Sequence, residues 1–181
     1  MDRIYIFDTT LRDGGQTKGV DFSFADKIVI SEALDEMGFD YIEGGWPGAN
    51  PTDDKLFSLP PKLNKSKLVA FGMTRKPNTS SANDPGLNAV LSGKTSVTCL
   101  VGKTWDFHVT QTLNITLLEN LEMIKDSISE TVNRGKEAIF DCEHFFDGYK
   151  NNKSFAIDCV RTAYESGARW IVLCDTNGGT L

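Results

Sequence analysis

Residues 4–45 read IYIFDTTLRDGGQTKGVDFSFADKIVISEALDEMGFDYIEGG. A short apolar run, Ile4 to Phe7, opens the segment, and a second, Tyr41 to Ile42, closes it. Between them Ser23 reads as a helix N-cap, with Asp26 three residues later close to a capping box. Phe24, Ile28, Leu34 and Met37 form an apolar stripe, and Gly38 supplies the stop. The segment is therefore a β-α-β unit. The pattern recurs in the runs Leu68 to Phe71, Val97 to Val101, Ala138 to Phe140 and Trp170 to Cys174. Continuous rather than alternating apolar runs suit strands buried on both faces, as in a parallel sheet covered by helices.

Helical segments fill the intervals. A second helix is expected from near Thr52 to before Pro60-Pro61. A third starts at Asp84, with Pro85 at the first helical position, and stops near Gly93. The fourth opens on the capping box Thr116-Leu117-Leu118-Glu119. It carries Leu117, Leu121, Ile124, Ile128 and Val132, and Gly135 closes it. A fifth runs from near Ser154 to Gly167 with Phe155, Val160, Ala163 and Tyr164. Gly179-Thr180-Leu181 reads as the start of a sixth. Six strands and five complete helices in alternation make an α/β domain with right-handed crossovers. Two layouts fit, an open doubly wound sheet and a (β/α)8 barrel. Neither G-x-G-x-x-G after a strand nor G-x-x-x-x-G-K-[ST] occurs, so the nucleotide-binding versions lose support.

Composition bounds the function classes. The chain has 181 residues, a formal net charge of -6, 40% hydrophobic and 24% charged residues. An acidic balance disfavours nucleic acid as a partner, because phosphate binding needs a basic footprint. No apolar run approaches the ~18 residues of a membrane span. Met1-Asp2-Arg3 leads into Ile4 without a secretory pattern, so a cytoplasmic location is expected. Cys99, Cys142, Cys159 and Cys174 form no C-x-x-C pair and read as reduced, mostly buried thiols.

In both layouts, ligands gather at the carboxyl ends of the strands. Strand one is followed by Asp8-Thr9-Thr10-Leu11-Arg12-Asp13-Gly14-Gly15-Gln16. Asp offers hard oxygens to a divalent cation. Arg can hold a carboxylate or an oxyanion. A turn with a surface ion pair would have the same composition. Strand two ends in Glu43-Gly44-Gly45-Trp46-Pro47-Gly48-Ala49-Asn50-Pro51, which reads either as a site or as a structural loop with Trp46 over the core. Strand three ends in Gly72-Met73-Thr74-Arg75-Lys76 and strand five in Asp141-Cys142-Glu143-His144-Phe145-Phe146-Asp147-Gly148-Tyr149. Strand six ends in Asp175-Thr176-Asn177-Gly178-Gly179, where an Asn or Thr can orient a substrate carboxylate. Glu143 and His144 are both capable of proton transfer. The fourth strand end offers no candidate, and His108, near Trp105 and Phe107, reads as structural.

The Asp8-Thr9-Thr10-Leu11-Arg12-Asp13-Gly14 run resembles the D-x-T-L-R-D-G signature of acyl-transferring (β/α)8 metalloenzymes. These are the 2-isopropylmalate, homocitrate and citramalate synthases and hydroxymethylglutaryl-CoA lyase. Tyr41 to Pro51, Glu143 to Lys150 and Asp175 to Leu181 are most similar to the citramalate synthase branch. Gly15 stands where the family often has Glu. The resemblance implies an α/β TIM barrel and a Claisen-type condensation of acetyl-CoA with a small 2-oxo acid, pyruvate, in amino-acid biosynthesis. It also implies a divalent metal ion (Mg2+, Mn2+ or Zn2+) and a homodimer. By position, Asp13 would bind the metal and Arg12 would stabilise the oxyanion and bind substrate. Glu43 and Thr176 would hold the 2-oxo acid. Glu143 would assist proton transfer, Gln16 would lie near the acyl donor, and His144 would contact substrate. Met73 and Thr74 would size the pocket. The alternatives are 2-isopropylmalate or homocitrate synthase-like condensation, lyase-like cleavage, and a non-catalytic binding module on the same scaffold.

The family's H-x-H is not found, since the two histidines are His108 and His144. The chain is expected to be a single domain, residues 1–181, comprising an incomplete barrel of six strands. Strands seven and eight are absent, and the histidine ligands are expected beyond Leu181. Against about 250 residues for a whole barrel, 181 residues are about three quarters of one, so this segment alone is expected to be catalytically silent.

Overall fold

The computed structural model describes residues 3–180. Its strands are β1 (Phe7–Asp8), β2 (Tyr41–Gly45), β3 (Lys67–Met73), β4 (Val97–Lys103), β5 (Glu137–Glu143) and β6 (Trp170–Leu173). The α-helices are α1 (Phe24–Met37), α2 (Pro51–Ser58), α3 (Pro85–Ser92), α4 (Leu117–Asn133), α5 (Phe145–Asn151) and α6 (Lys153–Glu165). Strand order follows the sequence, β1-β2-β3-β4-β5-β6. The registers Phe7↔Tyr41, Tyr41↔Lys67 and Ile139↔Trp170 are parallel. The open-sheet alternative required non-consecutive neighbours, and the observed order contains none. No helix among the described residues is long and apolar enough to cross a membrane.

By their internal contacts the residues fall into two units, one up to Gly72 with Ala89–Thr98, the other Met73–Asn88 with Cys99 onward. In the first, Leu11, Ile42, Leu56, Phe57 and Val69 are buried. In the second, Leu87, Leu100, Ile124, Ile128, Ile139 and Phe140 are buried. Every residue of β2 is buried, the charged Glu43 included, as in a strand covered on both faces.

The helix starts follow their caps. Ser23 Oγ accepts the Asp26 amide and Asp26 answers the Ser23 amide, a complete capping box, and Gly38 ends α1 at φ 88°. Asp84 caps α3 by accepting the Leu87 amide at 2.7 Å. Thr116 accepts the Glu119 amide at 3.1 Å, but the expected return bond is replaced. Glu119 Oε1 instead takes Arg75 Nη1 at 3.0 Å, since a charged partner outbids a neutral amide.

Other expectations are corrected. The first strand begins at Phe7, not Ile4. Upstream, the Asp40 and Tyr41 amides share the Ile6 carbonyl, each at 3.1 Å, without a continuing ladder. The two end strands of the sheet are the more exposed ones, with Leu173 of β6 at 46% and Ile6, just before β1, at 52% relative exposure. A sixth helix precedes the expected fifth. It is α5, which starts directly after β5 on His144 in the left-handed conformation. Asn152 then ends α5 and caps α6 by accepting the Phe155 amide. Gly179 and Thr180 are not helical, and Leu181 lies outside the described residues.

The buried face of α1 is the largest departure. Lys27, Ser31 and Asp35 are buried, whereas Met37 of the expected stripe is 73% exposed. Each buried polar group is satisfied. Ser31 Oγ donates to the Lys27 carbonyl at 2.7 Å. Asp35 accepts the amides of Asn64, Lys65 and Ser66 at 2.9, 2.7 and 2.6 Å.

Burial pushes the Asp35 carboxyl up, but these three amides outweigh it and hold its pKa at about 2. The folded value lies below the unfolded one of about 3.9. The resulting stabilisation, about 2 kcal/mol, is present above pH ~4 and lost as pH falls through ~2. Asp35→Asn is expected to lower urea-unfolding stability by about that amount at pH 7. The gap between variant and wild type should narrow steadily when the titration is repeated from pH 4 to pH 2.

Candidate active site

The loop after β1 is wound by its own polar groups. Asp8 accepts the Thr10 amide at 2.9 Å and its hydroxyl at 3.0 Å, an Asx turn. The Thr9 carbonyl then collects the amides of Arg12, Asp13 and Gly14 at 3.2, 2.9 and 3.1 Å. The winding drives Leu11 into the core and is followed by a 3-10 turn, Gly14–Gln16. Arg12 stacks over the Phe71 ring, 3.9 Å from its centroid. Its Nε donates to Glu43 Oε2 at 2.7 Å and its Nη1 to Asp13 Oδ1 at 3.2 Å. Trp46 meets Phe71 edge-on, with centroids 5.5 Å apart. The Glu43 side chain is wholly buried, so the Arg12 guanidinium supplies the counter-charge that burial of a carboxylate demands. The Asp13 side chain is 63% exposed.

Beneath this layer lies Lys27 of α1. Its ammonium donates to the Leu11 carbonyl at 3.0 Å, the Gly44 carbonyl at 2.7 Å and Asp53 Oδ1 at 2.5 Å. All three of its protons are committed. Asp53 Oδ2 accepts the Trp46 amide at 2.8 Å and Asn50 Nδ2 at 2.9 Å. Asn50 caps α2, with Pro51 in its first turn. Gly45 is at φ 154°, and a Cβ there would lie 2.4 Å from the Asp53 carboxyl carbon. A cavity of ≈ 300 Å³ opens here, lined by Arg12, Gln16, Phe22, Trp46 and Asn50 among others.

The second unit carries its own polar group. Glu143 ends β5, and its Oε2 is paired with Lys103 Nζ from the end of β4. The Glu143 carbonyl accepts the Thr104 hydroxyl at 2.6 Å and the Thr104 amide at 3.3 Å. His144 has φ 54°, and its amide donates to Thr176 Oγ1 at 2.9 Å. Its Nδ1 lies 3.1 Å from Asp147 Oδ2, which also accepts Asn177 Nδ2 at 3.0 Å. The bond from His144, then that from Asn177, outweighs burial and holds the Asp147 carboxyl below the usual range. His108 opens a π-helix, His108–Thr112. Its ring is 4.6 Å from that of His144 and 4.8 Å from Trp105. Burial, then the charge of His144, lowers the His108 pKa.

Arg12, Asp13 and Glu43 are thus in mutual contact through the guanidinium, and Gln16 lines the same cavity as Arg12. Glu143, His144 and Thr176 form a second contiguous set. Met73 is exposed at the end of β3, and the Thr74 amide donates to the Val101 carbonyl at 3.1 Å. The fourth strand end, expected to be bare, provides Lys103, Trp105 and His108. His108 therefore has partners that spacing did not show. Lys27 and Asp53 were also missed, whereas Asp147 and Asn177 lay within the quoted strand ends and only their bonds to His144 and to each other were not foreseen. Only Lys27 left a signal, the polar i, i+4, i+8 line Lys27-Ser31-Asp35.

The HMGL-like family model matches residues 3–181. The chain belongs to the HMGL-like family. Among curated relatives, it is 50% identical to an (R)-citramalate synthase of Aquifex aeolicus, over 99% of this chain and 34% of that protein. It is 48% identical to that of Sulfolobus acidocaldarius, over 98% and 34%. A 2-isopropylmalate synthase of Staphylococcus carnosus is 32% identical, over 98% and 34%. The chain therefore spans about a third of the length of the curated relatives it matches. A Bacillus subtilis HMG-CoA lyase shares the fold with a TM-score of 0.75 at 20% identity, over 98% of this chain and 60% of that one. An Acinetobacter baumannii HMG-CoA lyase, solved with coenzyme A and 3-methylmalate, gives 0.68 at 19% identity, over 95% and 56%. The six strands are accordingly those of an HMGL-like TIM barrel.

In this family member, Lys27 holds the backbone beside Arg12, in the loop after β1, and beside Glu43, in β2. Lys27→Met would leave Asp53 as a buried, uncompensated charge. A loss of about 3–5 kcal/mol is expected, to be read from the shift of the denaturant midpoint relative to wild type.

Proposed function

We propose that the whole protein is a citramalate synthase, an acyltransferase that condenses acetyl-CoA with pyruvate in amino-acid biosynthesis. The observation that carries this is the Arg12 guanidinium, fixed by Glu43 and Phe71 beside the exposed Asp13. Identities of 45–50% to (R)-citramalate synthases support the choice of branch.

The reaction needs a carbanion from the acetyl methyl, attack on the 2-oxo carbonyl, and hydrolysis that frees CoA. Arg12 donates to the oxygen on which negative charge grows. Its pre-set orientation means that no reorganisation is needed as the charge appears. Glu43 holds that orientation from below and, with Thr176, helps to retain the 2-oxo acid. Glu143 assists removal of the methyl proton. Gln16 faces the acyl donor, His144 touches substrate, and Met73 and Thr74 limit the size of the 2-oxo acid side chain. Asp13 presents hard carboxylate oxygens to solvent, the donor type that suits a divalent cation. A cation bound there would act as a Lewis acid on the 2-oxo carbonyl. Residues 1–181 are part of the barrel's catalytic domain in this reading. The remaining strands and the histidine ligands lie in the rest of the protein. The free thiols of Cys99, Cys142, Cys159 and Cys174 accord with a reducing, cytoplasmic location, and the family resemblance implies a homodimer.

Thiol release from acetyl-CoA by the whole protein tests the reading, with pyruvate, 2-oxoisovalerate and 2-oxoglutarate offered separately. Pyruvate is expected to give the highest kcat/KM, and preference for 2-oxoglutarate would overturn the assignment. In the same assay Arg12→Lys is expected to lower kcat by about 10²–10³-fold, because an ammonium cannot stack and fork as the guanidinium does.

A further inference from the structure

The end of β4 is arranged around a single residue of β5. Lys103 reaches the Glu143 carboxylate, and its neighbour Thr104 holds the Glu143 carbonyl with both amide and hydroxyl. One dipeptide thus grips Glu143 at its side chain and at its backbone. The dipeptide is itself anchored. Asn120 of α4, almost wholly buried, donates Nδ2 to the Lys103 carbonyl at 2.9 Å, and Cys159 Sγ lies 3.8 Å from the same oxygen. Gly148 of α5 closes on the far side, where a Cβ would fall 2.2 Å from the Thr104 carbonyl oxygen. Immediately after Glu143 the chain turns through the left-handed His144, whose amide is tied to Thr176.

A carboxylate on a strand end ordinarily samples several rotamers. Restraint at both ends removes that freedom before substrate arrives, which is what productive alignment of a proton-transfer group requires. A structural ion pair alone would not need the additional hold on the backbone.

We propose that Lys103, with Thr104, is a positioning residue for Glu143. It acts on the proton-transfer step through that carboxylate and not by touching substrate. This rests on the functional reading above, which assigns proton transfer to Glu143.

The test uses the whole protein and a double-mutant cycle of Lys103→Met and Glu143→Gln, with Lys103→Arg as the conservative control. Lys103→Met is expected to lower kcat by about tenfold to hundredfold while KM for pyruvate stays within about twofold. Lys103→Arg should restore most of kcat. In the Glu143→Gln background Lys103→Met should cost less than about twofold, because its effect passes through the missing carboxylate. A kcat for Lys103→Met equal to wild type overturns the proposal, and so does a loss of the same size in both backgrounds. If Lys103→Met does not fold, Thr104→Val removes only the hydroxyl bond to the Glu143 carbonyl, and an unchanged kcat there overturns the clamp. A wild-type protein that releases no CoA with any 2-oxo acid sinks the functional reading and this proposal together. An active wild type with an unaffected variant sinks this proposal alone.

Discussion

The ammonium of Lys27, buried among the carbonyls of Leu11 and Gly44 and the carboxylate of Asp53, is the contact on which the first unit depends. Leu11 precedes Arg12 and Gly44 follows Glu43. One cation therefore fixes the backbones beside both members of the Arg12–Glu43 pair. Asp53 extends the hold to Trp46 and Asn50, and so to the start of α2. A charge buried this deeply is tolerated only when every proton finds an acceptor. The sequence around it, from the glycines of β2 to the Asn50 cap, has the shape that this condition imposes.

The two strand-end groups follow one physical scheme. Each places a carboxylate opposite a cation, Glu43 with Arg12 and Glu143 with Lys103. Each then spends further bonds on the backbone that carries the carboxylate. The difference lies in exposure. Glu43 is wholly buried behind its arginine, whereas Glu143 keeps a quarter of its side chain accessible. The first arrangement suits orientation of a cation toward a ligand, the second suits a carboxylate that must itself meet a proton.

The strands and most helix starts were legible because they depend on local chemistry. Ser23, Thr116 and Gly38 act within a few residues of themselves, and continuous apolar runs mark strands covered on both faces. The site was legible where the Asp8–Gly14 motif concentrates it. What stayed hidden depends on distant partners. The Lys27-Ser31-Asp35 face of α1 is polar because loops far away in sequence satisfy it, so hydrophobic spacing indicated another side. Lys103 and His108 looked idle because Glu143 and His144 are forty and thirty-six positions away. The helix α5 was missed because its cap is a left-handed histidine and Asn152 merges its end with the next helix.

That shared Asn152 bears on how loop lengths can drift in such a chain. It terminates α5 and caps α6 with no residue between them, and its amide group also reaches Asp106. An inserted or deleted residue here would rotate one helix against the other and uncouple three segments at once. Length variation is therefore intolerable at residue 152.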